Sequence, residues 1–196
     1  MERNFETVMI EQCAPTLAGL KPANLFRLEC RSPAALYARV AGWNAALGPK
    51  GVRLVVLKEF PETRCYLIYV FRAARLWAAL SQPETRRFLS REGYRLPGSG
   101  TEAGAGCAAL LAQLALRLTE GRDFPHEIGV FLGYPLADVL GFIENRGKNF
   151  TCCGCWKSYG DPDAAQRLFD QFKKCTAVYL RLFRSGRPIP RLTVSA

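Results

Sequence analysis

Long apolar runs are missing from this sequence of 196 residues. A helix that crosses a membrane needs about 18 or more apolar residues in a row. The most apolar segment, residues 107–118 (CAALLAQLALRL), is shorter and contains Gln113 and Arg117. The first residues, MERNFETV, also lack the apolar region of a secretory signal. We therefore expect a cytoplasmic protein that has no membrane partner.

Nucleotide-binding and nucleic-acid-binding motifs are also missing. The chain contains neither a P-loop nor a G-x-G-x-x-G that follows a strand. It is basic, with 27 Lys and Arg against 17 acids and a formal net charge of +10. A basic surface can bind a polyanion, whereas cations near a helix C-terminus also complement the helix dipole and keep a protein soluble. Since no motif accompanies the charge, we favour the second interpretation and predict no specific nucleic-acid partner.

Metal-ligand spacing is absent from the eight cysteines, which include no C-x-x-C pair. Cys152, Cys153, Cys155 and Cys175 were nevertheless considered, because four thiolates can form a tetrahedral site. Without the spacing we predict no metal and expect reduced thiols, most of them packed as small apolar side chains. The sequence indicates no cofactor and no oligomeric state.

Apolar periodicity and turn residues indicate an α+β protein, with a small, mostly antiparallel sheet packed against several helices. We predict a single compact domain over residues 1–196, with a flexible surface loop near 96–104 (LPGSGTEAG). The main predicted elements are helices over 4–12, 33–47, 73–80, 84–92, 105–120 and 136–145, a long helix from 162 onwards, and strands over 25–30, 52–57, 65–71 and 150–159. The segment CAPTLAGLKP, which follows the first helix, is predicted to be a loop because of its prolines and glycine.

Three stretches carry a resemblance to a known family: CAPTLAGLKPANLF (13–26), FPHEIGVFLGYPLADVLGFIEN (124–145) and CGCWKSYGD (153–161). Together they resemble the domain-of-unknown-function 3793 family of anaerobic bacteria, over nearly the whole chain. The family pattern Trp-Lys-Val-Tyr-Gly-Asp has valine where this chain has Ser158. The resemblance implies a stand-alone cytoplasmic protein without an established activity, associated with flavodoxin-type and iron-related genes.

Cys13 and His126 are the candidate catalytic pair, because a thiol far in sequence from the only histidine is typical of an activated nucleophile. Glu127 or Asn44 would orient the imidazole. The competing interpretation is a packed Cys13 and a structural His126. The polar residues of the three stretches are the candidate substrate-binding residues: Lys21, Tyr134, Lys157 and Tyr159. We expect the catalytic and substrate-binding residues to line one cleft.

Two functions follow from these candidates. The first is a small enzyme that uses the Cys13 and His126 pair in a polar cleft. The alternative is a non-catalytic protein that binds a small-molecule ligand or a redox protein partner and serves a redox or iron-handling system. The two functions predict different geometry. A catalytic thiol must lie within hydrogen-bond reach of its base, whereas a binding protein needs only a concave, partly apolar site.

Overall fold

Helices and short strands alternate along the chain in this computed structural model, which describes residues 4–98, 100–121 and 123–195. No helix in these ranges is both long and apolar enough to cross a membrane. The elements are α1 (Phe5–Leu17), β1 (Ala23–Glu29), α2 (Pro33–Leu47), β2 (Val52–Phe60), β3 (Cys65–Arg72), α3 (Ala73–Leu80), α4 (Pro83–Arg91), α5 (Ala103–Glu120), α6 (Ile128–Phe131), α7 (Leu136–Glu144), β4 (Cys152–Cys153), β5 (Lys157–Ser158), α8 (Pro162–Arg184) and α9 (Ile189–Leu192).

The main sheet is antiparallel, with strand order β1-β3-β2. Its central strand, β3, is apolar on both faces, because Ile68 and Val70 alternate with Tyr69 and Phe71 and all four are buried. A strand of this kind requires cover on both sides.

Two groups of helices provide that cover. One apolar core joins Ile68 and Val70 to α1, α2 and the two C-terminal helices. The other core joins Tyr69 and Phe71 to helices α3 to α7. The sheet therefore lies between two helical layers, and β1 and β2 are its edge strands.

The predicted α+β class with a small antiparallel sheet is confirmed. Most predicted elements match the structure to within a few residues. The loop prediction for CAPTLAGLKP is wrong in its first half, because α1 continues to Leu17. Pro15 lies in the last turn of that helix, where its missing N–H costs one intrahelical bond and does not stop the helix. Cys13 is consequently a helical core residue instead of a loop residue.

The predicted strand over 150–159 is also wrong. The segment is a hairpin in which the two-residue strands β4 and β5 pair through Cys152–Ser158 and Cys153–Lys157. Gly154 lies at its turn, where a Cβ atom would come within 2.3 Å of the Phe169 ring. The pattern of apolar residues over 150–159 did not reveal this turn. The turn depends on close packing of Gly154 against α8, a contact with a distant segment that a local pattern does not show.

The predicted loop near 96–104 has no regular structure over Leu96–Gly98, and α5 begins at Ala103. Ser99 lies outside the described residues. The flexibility of this loop and the single-domain organisation stay predictions.

Arg72, at the end of β3, ties the N-terminal helix to the C-terminal segment. It is 2% exposed, and its guanidinium donates hydrogen bonds to the backbone carbonyls of Thr16 (2.6 Å), Leu17 (2.7 Å), Lys50 (3.3 Å) and Val194 (2.6 Å). Four carbonyl oxygens from three separate segments thus share one cationic donor.

Arg72→Met is expected to lower the free energy of unfolding by about 3 kcal/mol or more, because four backbone carbonyls lose a charged hydrogen-bond donor. Denaturant unfolding measures the change. Arg75→Met is the matched control, because Arg75 is exposed on α3 and its removal should change stability by less than about 0.5 kcal/mol. Equal losses for the two variants would contradict the role assigned to Arg72.

Candidate functional site

Two adjoining cavities lie beside the edge strand β1. The first has a volume of about 430 Å³ and a largely apolar wall, to which Leu25, Phe124, His126, Leu132, Tyr134, Val139, Phe142, Cys153, Trp156 and Lys157 contribute. The second has a volume of about 640 Å³ and a more polar wall, to which Glu11, Gln12, Lys21, Asn24, Tyr134, Phe172, Lys173 and Thr176 contribute. Leu25, Leu132, Tyr134 and Cys155 line both.

All three distinctive stretches of the sequence contribute to each cavity. Close backbone approach brings them together. Gly133 has a φ of +72°, and a Cβ atom there would lie 2.3 Å from Pro22 Cγ. Only glycine therefore permits the first stretch to contact the second at this point.

The hairpin supplies the third stretch through Trp156. The Trp156 ring stacks on Tyr134 at a centroid distance of 4.7 Å and makes an edge contact with Phe169 of α8 at 4.6 Å. Burial, and next Cys155, raises the pKa of Tyr134 to about 12. These rings form a rigid aromatic wall for the first cavity.

Asp138, in the first turn of α7, fixes the hairpin in place. Its carboxylate is buried and accepts hydrogen bonds from Trp156 Nε1 (2.7 Å), Ser158 Oγ (3.0 Å) and the Tyr159 backbone N–H (2.7 Å). Sequence reasoning did not select Asp138, although an acid inside the apolar segment LADVLGF was a signal for a buried carboxylate with partners.

Lys21 is the most unusual of the selected residues. It is 5% exposed and lines the second cavity, and within the described residues its ammonium has neither a hydrogen-bond acceptor nor a carboxylate within 4 Å. Its contacts are with aromatic rings, since Nζ lies 5.0 Å from the Tyr134 centroid and 5.7 Å from that of Phe172. Burial lowers the pKa of Lys21 to about 8.

His126, Tyr134 and Lys157 line the first cavity, as the cleft hypothesis requires. His126 is exposed at its edge, with its ring 5.0 Å from that of Phe142. Lys157 Nζ donates to the Gly147 carbonyl at 2.7 Å and lies over the Phe142 and Phe150 rings. Unlike Lys21, Lys157 therefore has a partner of its own.

The candidate catalytic residues do not come together. Cys13 is fully buried in the core on the α1 side, burial raises its pKa, and it lines neither cavity. Glu127 accepts from the Tyr94 hydroxyl (3.1 Å) and pairs with Arg117 (3.4 Å), away from the imidazole. The Asn44 amide pairs with the backbone of Leu54. Nothing in this geometry supports a thiolate at Cys13 or an acid that orients His126.

Tyr159, Cys152 and Cys175 line neither cavity, whereas Cys153 and Cys155 belong to the cavity walls. The Tyr159 ring packs on Gly141, and its buried hydroxyl has no partner in the described part of the chain. Cys153 and Cys155 are exposed, whereas Cys152 and Cys175 are half-buried. Among the described residues no group of three or more His, Cys, Asp or Glu side chains has the arrangement of a metal site.

Asp138→Asn is expected to destabilise the protein by about 2 kcal/mol, because an amide has one acceptor oxygen for three donors and its NH₂ group faces a donor. The Trp156 fluorescence should shift as well, since the hairpin loses its anchor. Asp170→Asn is the control, because Asp170 is exposed on α8. An Asp138→Asn variant as stable as Asp170→Asn would contradict this role.

Comparisons with known proteins agree with the resemblance seen in the sequence. A family model described as "protein of unknown function (DUF3793)" matches residues 9–193. No curated protein and no solved structure matches the chain. The match spans all three stretches of the site and every element from the middle of α1 to α9. The chain therefore belongs to the DUF3793 family.

Proposed function

We propose that this protein is a non-catalytic binding protein for a small molecule with a planar apolar body, which enters the first cavity. The observation that carries the proposal is the convergence of the three distinctive stretches on one largely apolar cavity. The redox or iron-handling role implied by the resemblance stays a prediction.

The size and chemistry of the cavity suit a small ligand. A volume of about 430 Å³ lies within the range of known ligand pockets, about 300–1,000 Å³. Its wall combines aliphatic side chains with the stacked rings of Tyr134 and Trp156. Burial of an apolar ligand there is favoured by about 25 cal/mol per Å² of surface removed from water, and flat aromatic walls favour a flat ligand.

A binding role is better supported than catalysis. General-base chemistry needs a base within hydrogen-bond reach of the group it deprotonates, but Cys13 and His126 are not hydrogen-bonded to each other and only His126 lines the cavity. Two polar side chains of the first cavity are held by structural contacts, because Lys157 donates to Gly147 and Asp138 accepts from the hairpin. Such groups can orient a ligand without reacting with it.

Titration with the neutral fluorescent probe N-phenyl-1-naphthylamine tests the proposal. The probe is expected to bind at one site with increased emission. Cys153 is exposed and lines the first cavity, so Cys153→Trp places an indole at the cavity wall without disturbing the core. This variant should bind the probe at least about tenfold more weakly, which corresponds to about 1.4 kcal/mol.

Phe150→Trp is the matched control, because it adds an indole to the same segment at an exposed residue that does not line the cavity. Its affinity for the probe should equal that of the unmodified protein. Thermal melting of both variants excludes unfolding as the cause of any loss. Absence of probe binding to the unmodified protein, or equal binding to Cys153→Trp, would contradict the proposal.

A further inference from the structure

We infer that the ligand is amphipathic, and that Lys21 in the second cavity binds its anionic oxygen group, a carboxylate or a phosphate monoester. The inference rests on the proposed function, because it places the apolar body of the ligand in the first cavity. The inference extends the proposed function in two ways: the ligand carries a negative charge, and Lys21 is the residue that binds the charged group.

The first step is the burial of Lys21 without an anionic partner. Transfer of an ammonium from water into a protein interior is costly unless the charge is paired. The rings of Tyr134 and Phe172 offset part of that cost through cation–π attraction. They leave the hydrogen-bonding capacity of the three N–H donors unmet within the described residues, so an oxyanion in the cavity would complete the site.

The second step is the contact between this ammonium and Tyr134, a residue that lines both cavities. Tyr134, whose ring lies under Lys21 Nζ, also lines the first cavity and stacks on Trp156. A ligand that lies against this aromatic wall would thus contact the same tyrosine ring that Lys21 contacts. Lys157 is a weaker candidate, because its ammonium already donates to Gly147.

The third step is the remaining polar lining of the second cavity. Donor groups come from three elements: Gln12 of α1, Asn24 of β1, and Lys173 and Thr176 of α8. Glu11 contributes a carboxylate to the same wall, which disfavours a highly charged anion. This balance suits one carboxylate or phosphate group better than a polyphosphate.

The experiment compares naphthalene derivatives that differ in one group, through displacement of N-phenyl-1-naphthylamine at pH 7. The compounds are 1-naphthoate, 1-naphthyl phosphate and the neutral 1-methoxynaphthalene, with inorganic phosphate as the anion alone. At least one naphthalene anion should displace the probe at a concentration about tenfold lower than 1-methoxynaphthalene, a difference of about 1.4 kcal/mol. Whichever of 1-naphthoate and 1-naphthyl phosphate displaces the probe at the lower concentration identifies the head group.

Lys21→Met should abolish the preference for the anion and leave the affinity for 1-methoxynaphthalene unchanged. It should also raise the melting temperature, because it removes an unpaired buried charge. Lys174→Met is the control, since Lys174 is exposed and does not line the cavity. It should keep the preference.

The pH dependence provides a readout that a structural role of Lys21 would not change. Because the pKa of Lys21 is lowered to about 8, the ammonium is charged below that pH and loses its proton above it. Affinity for 1-naphthoate should therefore fall by about tenfold per pH unit above pH 8, and not in Lys21→Met. The other titratable groups facing Lys21 are Glu11, Cys13, Tyr134, Cys155 and Lys173. Burial raises the pKa of Cys13, Tyr134 and Cys155 above their ordinary values.

The two proposals fail in different ways. If no compound displaces the probe because the probe itself does not bind, the proposed function is wrong. If 1-methoxynaphthalene binds as well as the anions, or if Lys21→Met retains the anion preference, the inference about Lys21 is wrong while the cavity keeps its proposed role. Equal competition by inorganic phosphate and 1-naphthyl phosphate would show an anion site without an amphipathic ligand and would also overturn the inference.

Discussion

Strand β3 has apolar side chains on both faces, so both faces of the sheet must be covered by helices. Much of the architecture follows from this constraint. Helices from the two ends of the chain cover one face and those from its middle cover the other. Since β1 is an edge strand, no other strand of the described ranges joins the two layers beside it. The two cavities lie there, one against the middle helices and hairpin, the other between α1 and α8.

The β4–β5 hairpin connects the two layers at this edge. Its indole is held by Asp138 of α7 on one side and packs on Phe169 of α8 on the other. A buried carboxylate with three donors is a directional anchor, because each bond fixes a different part of the hairpin. The aromatic wall of the first cavity thus owes its position to the buried hydrogen bonds between Asp138 and the hairpin.

Much of the fold could be predicted from the sequence, because its signals are local. The α2 helix begins at Pro33, directly after the N-cap Ser32, and strands β2 and β3 are rich in β-branched and aromatic residues. The end of α1 and the hairpin could not be predicted, because they depend on packing between distant segments, as Gly154 against Phe169 shows. In the site, chemical type and sequence context identified Lys21, His126, Tyr134 and Lys157 as lining residues. The same reasoning placed Cys13 with them, although Cys13 is fully buried in the core and lines neither cavity.

The two buried cations Arg72 and Lys21 show how structural and ligand-binding charges differ in one molecule. Both lie close to the end of α1 and both are almost inaccessible to water. The Arg72 guanidinium has its donors directed at four carbonyl oxygens, so its charge is used to join chain segments. In the part of the chain that the structure describes, the Lys21 ammonium is held by aromatic rings alone, which attract a cation without accepting directional N–H bonds as oxygen does. If Lys21 served packing alone, an apolar side chain would fill the same space better, because it would avoid the cost of an unpaired buried charge. The arrangement at Lys21 is therefore better explained by an anion that comes from outside the chain than by a contribution to the fold.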